Sequence, residues 1–157
     1  MSNTVMWAHG NALTVETPDH VTQIRHQAWG TDLFFAPGNP KATWLHIPIP
    51  TPAIVNDGEA ALNQVYLLFQ VEGEEEAGNG RITALHVDDG AFRLQEFENI
   101  SLDGNHRGGI DARNTFTLDK PQFVRFGIGV SFFFVPTASN NQQAVLRIAG
   151  AGADFFI

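Results

Sequence analysis

Two stretches of this 157-residue chain spell tryptophan-x-histidine: "MWAHGN", with Trp7 and His9, and "TWLHIPIP", with Trp44 and His46. In an extended strand, residues i and i+2 share a face, so each indole stands beside its imidazole. A flat apolar ring next to a hydrogen-bonding ring suits a carbohydrate, with its apolar ring face and hydroxyl rim, or another ring-shaped small organic ligand. Trp7, His9, Trp44 and His46 are therefore the candidate ligand-binding residues. The competing reading is that a loop or partner subunit buries both indoles, as tryptophan usually is.

Other chemistry has less support. Six histidines are many for this length, but there is no His-x-His or His-Glu-x-x-His spacing. Without cysteine, zinc would need histidine and carboxylate ligands, and His9, His46 and His86 would have to converge in space. The turns at 56–59, 88–89 and 103–105 are rich in oxygen ligands of the kind calcium takes, yet such Asp-Gly sequences are ordinary turn formers and the EF-hand spacing is missing. No metal or other cofactor is expected. There is no Gly-x-Ser-x-Gly elbow, and Ser131 falls mid-strand between Phe and Val. Paired acids such as Asp88 with Glu96 can be proposed, but nothing singles them out. "GNHRGG" lacks the lysine of a phosphate loop. The acidic run 72–76 reads as solvated charge. No catalytic residue is assigned.

The elements that would carry the dyads follow from composition and alternation. Thirteen Phe, 15 Gly and 8 Pro point to short strands and tight turns, and hence to an all-β fold. Residues 1–157 are read as one domain, an antiparallel, jelly-roll-like β-sandwich, with a β-barrel as the alternative. Gly10-Asn11 predicts a two-residue hairpin with Met6, Ala8, Leu13 and Val15 inward and Trp7 and His9 outward. One short strand is expected over 21–29. In "TWLHIPIP", Leu45, Ile47 and Ile49 oppose Trp44 and His46, and Pro48 and Pro50 place the strand at an edge. "LNQVYLLFQVE" reads as a central strand, and 81–97 as a hairpin turning at Asp89-Gly90. In the strand over 123–135, Val124, Phe126, Ile128, Val130, Phe132 and Phe134 share one face. Gly127, Gly129 and Ser131 leave a trough on the other, which aromatics of a neighbouring strand are expected to fill. A last strand "AVLRIAG" precedes the closing "ADFFI".

A net charge of −8 supplies no basic patch for nucleic acid, and no apolar run is long enough for a membrane helix. With no secretory signal pattern, a cytoplasmic location is expected. The proline-broken edge, the Phe-rich tail and the outward tryptophans predict a homo-oligomer. The W-x-H-G-N and W-x-H-x-x-I-P-T-P segments resemble those of a family of small uncharacterised bacterial proteins. That resemblance implies a single β-sandwich and carries no activity. The leading expectation is a non-catalytic binding or assembly module. The alternatives are a small enzyme using a histidine acid/base on an apolar metabolite, and a structural subunit of a larger assembly.

Overall fold

The computed structural model describes residues 3–52, 54–55, 58–72, 79–137 and 143–156. In chain order its strands are β1 (Asn3–His9), β2 (Thr14–Val15), β3 (Gln23–Gln27), β4 (Gly30–Phe34), β5 (Thr43–Ile49), β6 (Ile54–Val55), β7 (Gly58–Glu59), β8 (Ala61–Glu72), β9 (Gly80–Asp89), β10 (Phe92–Phe97), β11 (Gly104–His106), β12 (Thr115–Phe123), β13 (Ile128–Pro136) and β14 (Val145–Phe156). No helix is long and apolar enough to cross a membrane. The chain forms the antiparallel β-sandwich expected of it, with repeated crossings between two open sheets rather than a closed barrel. The larger sheet has seven strands in the order β11-β8-β14-β4-β3, with β12 also on β8 and β1 also on β14. The smaller runs β10-β9-β13-β5-β2, and β6 and β7 make a separate pair.

Alternation decides which side of each strand meets the core. In β8, Leu62, Val65, Leu67, Phe69 and Val71 are buried, and in β13 Ile128, Val130, Phe132 and Phe134 are buried. These faces form one apolar cluster with Leu45 and Ile47 of β5, Leu85 and Val87 of β9, and Leu146, Ile148 and Phe155 of β14. β13 is the middle strand of its sheet, as its long apolar face predicts.

The Gly10-Asn11 turn departs from expectation. It is not a hairpin: β1 pairs with β14 in the larger sheet, while β2 pairs with β5 in the smaller. Gly10–Ala12 forms a short 3-10 turn that carries the chain across the sandwich. The predicted inward set survives, because Ala8 and Leu13 are buried and Met6 and Val15 pack against the core. A Cβ on Gly10 would lie 2.0 Å from the carbonyl oxygen of Ile148, so only glycine allows the crossing to pass this close to β14.

Other boundaries moved for local reasons. The single strand expected over 21–29 is a hairpin: β3 pairs with β4 around Ala28-Trp29. In the β9–β10 hairpin Asp89 pairs with Phe92, so the turn is Gly90-Ala91, with Gly90 at φ 59°. β5 is an inner strand of its sheet, but β2 covers it only at Leu45 and His46, and Pro48 lies beyond that pairing. β14 is longer than expected: "AVLRIAG" and "ADFF" are one strand, with a bulge at Ala149 that shifts the buried set from Leu146 and Ile148 to Ala151, Ala153 and Phe155. The tail is thus core rather than apolar surface. Among the described residues the most exposed large apolar side chains are Phe92, Phe123 and Phe126, followed by Ile110, Val5, Ile24 and Trp7.

The strand expected over 123–135 breaks at 124–127, and Phe126 is 67% exposed. The buried carboxylate of Asp89 causes this break. It accepts the backbone N–H groups of Arg125, Phe126 and Gly127, each at 2.8 Å. Burial opposes ionisation of Asp89, but these three donors outweigh it and hold its pKa below the ordinary carboxylate value. A depressed folded-state pKa contributes stability above the unfolded-state pKa, and that stability is lost as pH falls through the folded value. Asp89→Ala should therefore cost about 2–3 kcal/mol near neutral pH in urea unfolding, the scale of hydrogen bonds to a charged group. The difference from wild type should shrink progressively below about pH 4, where the unfolded-state carboxyl takes up its proton.

Candidate functional site

The outward residues of the smaller sheet stand in three rows fixed by strand register. Trp44 of β5 pairs with Phe133 of β13, which pairs with Ala84 of β9. The middle row runs Thr14, His46, Ser131, His86, Glu96 across β2, β5, β13, β9 and β10. The third runs Pro48, Gly129, Asp88, Arg93. A groove of about 810 Å³ lies over the second and third rows. A second depression of about 610 Å³, bounded by Thr83, Glu98, Asn99 and Phe133, lies beyond Trp44, which lines both. Trp44 is the ridge between them.

The ridge is held from two sides. Its indole packs on His86 with centroids 4.5 Å apart and on Phe133 at 5.1 Å. Below it, Ser131 Oγ lies 2.7 Å from His46 Nδ1, and His46 Nε2 lies 3.2 Å from Glu16 Oε1. With the Nε2 proton donated to Glu16, Nδ1 accepts the serine proton. Glu16 stays beside β5 because its backbone N–H donates to the Trp44 carbonyl at 3.0 Å. His86 Nε2 hydrogen-bonds Glu98, and Arg93 pairs with both Asp88 and Glu96 at 2.6 Å. The two ion pairs push the Arg93 pKa up.

The trough is open. A Cβ on Gly127 or Gly129 would meet nothing within 4 Å. The aromatics expected to fill it do not: Trp44 and Phe133 stack two rows away and leave Gly129 clear.

Of the four residues singled out by spacing, Trp44 and His46 share this face. Trp7 and His9 lie on β1, on the outer side of the other sheet. The two dyads do not form one surface. Both nitrogens of His9 are engaged within the fold: Nδ1 accepts from Asn11 N–H at 3.1 Å, and Nε2 donates to the Ala28 carbonyl at 2.9 Å. Asn11 Nδ2 donates to the Gln27 carbonyl at 2.8 Å, so "HGN" clasps the β3–β4 hairpin.

Glu16, His86, Asp88, Arg93 and Ser131 escaped the spacing argument, because cross-strand register brings them together and no short motif does. The signals available were the outward alternation of His86 and Asp88 in "LHVDD" and the outward place of Ser131 beside Gly129. Among the described residues, His86, Glu96 and Glu98 hold ligand atoms within 4.8 Å of one another and could receive a cation. The carboxylates of two expected oxygen-rich turns are occupied: Asp89 by backbone donors, and Asp103 by Arg81 at 3.4 Å and Arg113 at 3.9 Å. Residues 56 and 57 of the third turn and residues 73–76 of the acidic run lie outside the described residues.

The chain belongs to the family of unknown function DUF6623, whose model matches residues 1–156, an uncharacterised family as the Trp-x-His segments implied. No curated protein matches it. Among solved structures it is similar to a xylan-binding module (CBM15), with 12% identity, 99% of this chain and 97% of that chain covered, and a TM-score of 0.46. It is also similar to an exo-beta-1,3-galactanase from Phanerochaete chrysosporium, solved with galactose, at 11% identity. That overlap covers 98% of this chain and 29% of the galactanase, with a TM-score of 0.31. At these overlaps neither likeness bears on the ligand.

The open trough has a direct consequence for stability. Gly129→Ala places a methyl group in free space and adds a residue better suited to a strand, so urea unfolding should change by no more than about 0.5 kcal/mol. A loss of several kcal/mol would show that the trough is closed.

Proposed function

As a member of a family to which no activity is assigned, the chain offers only its own surfaces to reason from, and we propose that it is a non-catalytic binding module that receives a carbohydrate in the groove of the smaller sheet. One observation carries this reading. A half-buried indole, Trp44, borders a groove that is open at Gly129 and whose walls are hydrogen-bonding side chains arranged by register. An indole packs against the apolar face of a sugar ring. His46, Ser131, Asp88 and Arg93 supply donors and acceptors in the adjoining rows for hydroxyls. The groove is already formed, so little ordering opposes binding.

The test is titration calorimetry with hexasaccharides of β-linked glucose, xylose and galactose. Wild type should bind at least one of them. Trp44→Ala should weaken that binding at the groove at least tenfold, while costing only about 1–2 kcal/mol of stability from the lost ring contacts. Gly129→Val should also block the groove with the fold intact. Failure of all three glycans to bind, or unchanged groove affinity in Trp44→Ala, would refute the reading.

The hydrogen-bonded chain Ser131–His46–Glu16 favours a second reading, an enzyme in which His46 acts as a base toward the Ser131 hydroxyl. An activated serine forms a covalent adduct with a fluorophosphonate. Labelling of wild type that disappears in Ser131→Ala and His46→Ala would favour the enzyme; an unlabelled wild type would leave the binding module as the better account.

A further inference from the structure

We propose that the outer face of the seven-stranded sheet carries a second, independent carbohydrate platform built on Trp7, so that one chain of this protein holds two glycan strands on opposite faces. The inference rests on the binding-module reading and extends it from one surface to two.

Trp7 faces outward from β1, because its neighbour Ala8 is buried in the core. Register places Trp7 beside Gly152 of β14 and Gly152 beside Tyr66 of β8. The indole lies across that glycine. A Cβ at position 152 would sit 2.6 Å from Trp7 Cε3, so a side chain there would lift the ring off the sheet. The ring stacks against Tyr66 with centroids 5.5 Å apart and planes 22° from parallel. The result is an indole laid flat on a rigid sheet and still 40% exposed. A tryptophan serving only the core would be covered.

The next row supplies polar groups suited to hydroxyls. It runs Val5, Asp154, Gln64, Thr117 across β1, β14, β8 and β12. Gln64 Nε2 donates to the Tyr66 hydroxyl at 2.5 Å, and Thr117 Oγ1 donates to Gln64 Oε1 at 3.1 Å. Asp154 is 5% exposed, and its Oδ1 is buried with no hydrogen-bond partner. That oxygen is closed to solvent, so the groups of this row open to a ligand's hydroxyls are the half-buried Gln64 and the exposed Thr117. Burial and the nearby Asp154 charge raise the Tyr66 pKa and outweigh the Gln64 hydrogen bond, which lowers it, so the hydroxyl keeps its proton near neutral pH.

The size of the patch argues for a sugar rather than a second protein copy. Its large exposed apolar residues are Trp7 and Val5, at 40% and 42%, with Phe123 two rows from Trp7 on the same face. A stable protein interface buries about 800 Å² per partner, far more than these three scattered side chains offer. Trp7 and Trp44 face away from each other across the sandwich, so a single sugar strand cannot contact both, and two bound strands become linked.

The experiment is calorimetric titration with the tightest-binding member of the same hexasaccharide panel, together with turbidity on mixing with the corresponding soluble polysaccharide. Wild type should show two sites per chain and cross-link the polysaccharide. Trp7→Ala and Trp44→Ala should each leave one site and abolish cross-linking, and Trp7→Phe, which keeps a ring, should retain the second site with weakened affinity. Circular dichroism and thermal melting establish that each variant is folded, and Trp7→Phe serves if Trp7→Ala is not. One site per chain in wild type, unchanged in the Trp7 variants, would overturn the second platform while leaving the groove reading intact. A halved mass of Trp7→Ala in light scattering would identify the face as a self-interface and overturn it too. No binding of any glycan to wild type would remove both readings together.

Discussion

The carbonyl of Ile148 is approached by two glycine backbones, and the rest of the structure follows from that crowding. Virtual side chains on Gly10 and Gly30 would lie 2.0 and 2.2 Å from its oxygen. At this level of β14 a bulge at Ala149 ends the pairing with β4 and begins the pairing with β1. Gly10 lets the chain leave β1 here and cross to the other sheet. Gly30 lets β4 begin here. His9, Asn11 and Thr31 lock the junction with hydrogen bonds, including Thr31 Oγ1 to the Gly10 carbonyl at 3.1 Å. A side chain at either glycine would force backbone to move, which close-packed interiors resist.

The candidate groove depends on that crossing. Because β2 emerges beside β5 rather than beside β1, Thr14 and Glu16 stand next to His46, and Glu16 completes the chain that ends at Ser131. A hairpin at Gly10-Asn11 would have put the same residues on the opposite sheet and left His46 without its carboxylate. Asp89 acts in a similar way at the far end of the groove. By capping three backbone donors it ends β12, starts β13 and keeps Gly127 and Gly129 clear of neighbouring side chains.

Both outer faces use glycine to shape an aromatic surface, in opposite senses. Gly129 leaves space in the groove that Trp44 borders, whereas Gly152 removes a side chain so that an indole can lie down. Glycine weakens a strand. On β14 close packing calls for it, since a Cβ on Gly150 would lie 2.8 Å from the Ala8 carbonyl oxygen and one on Gly152 2.6 Å from the Trp7 ring, whereas on β13 a Cβ on Gly129 would meet nothing within 4 Å.

Alternation in the sequence determined the all-β class, the inward faces of β5, β8 and β13, and the outward placement of Trp7, Trp44 and His46. Each follows from a period of two read along one strand, which needs no partner. Turn chemistry was legible for the β9–β10 hairpin to within a residue. It misled at Gly10-Asn11, because a Gly-Asn pair signals a tight reversal and says nothing of which sheet receives the next strand. The same limit hid the length of β14: "AGAGA" reads as a chain end until Trp7 and Gly10 are seen to require those small residues. Only the tertiary structure decided that the two Trp-x-His dyads face apart, that His9 is engaged in holding a hairpin, and that Glu16, His46, Ser131 and His86 stand in neighbouring places. These are properties of register between strands as distant in the chain as β1 and β14, where Trp7 pairs with Gly152. Register is set by long-range pairing and by close backbone contacts such as those at Ile148, which no local pattern encodes.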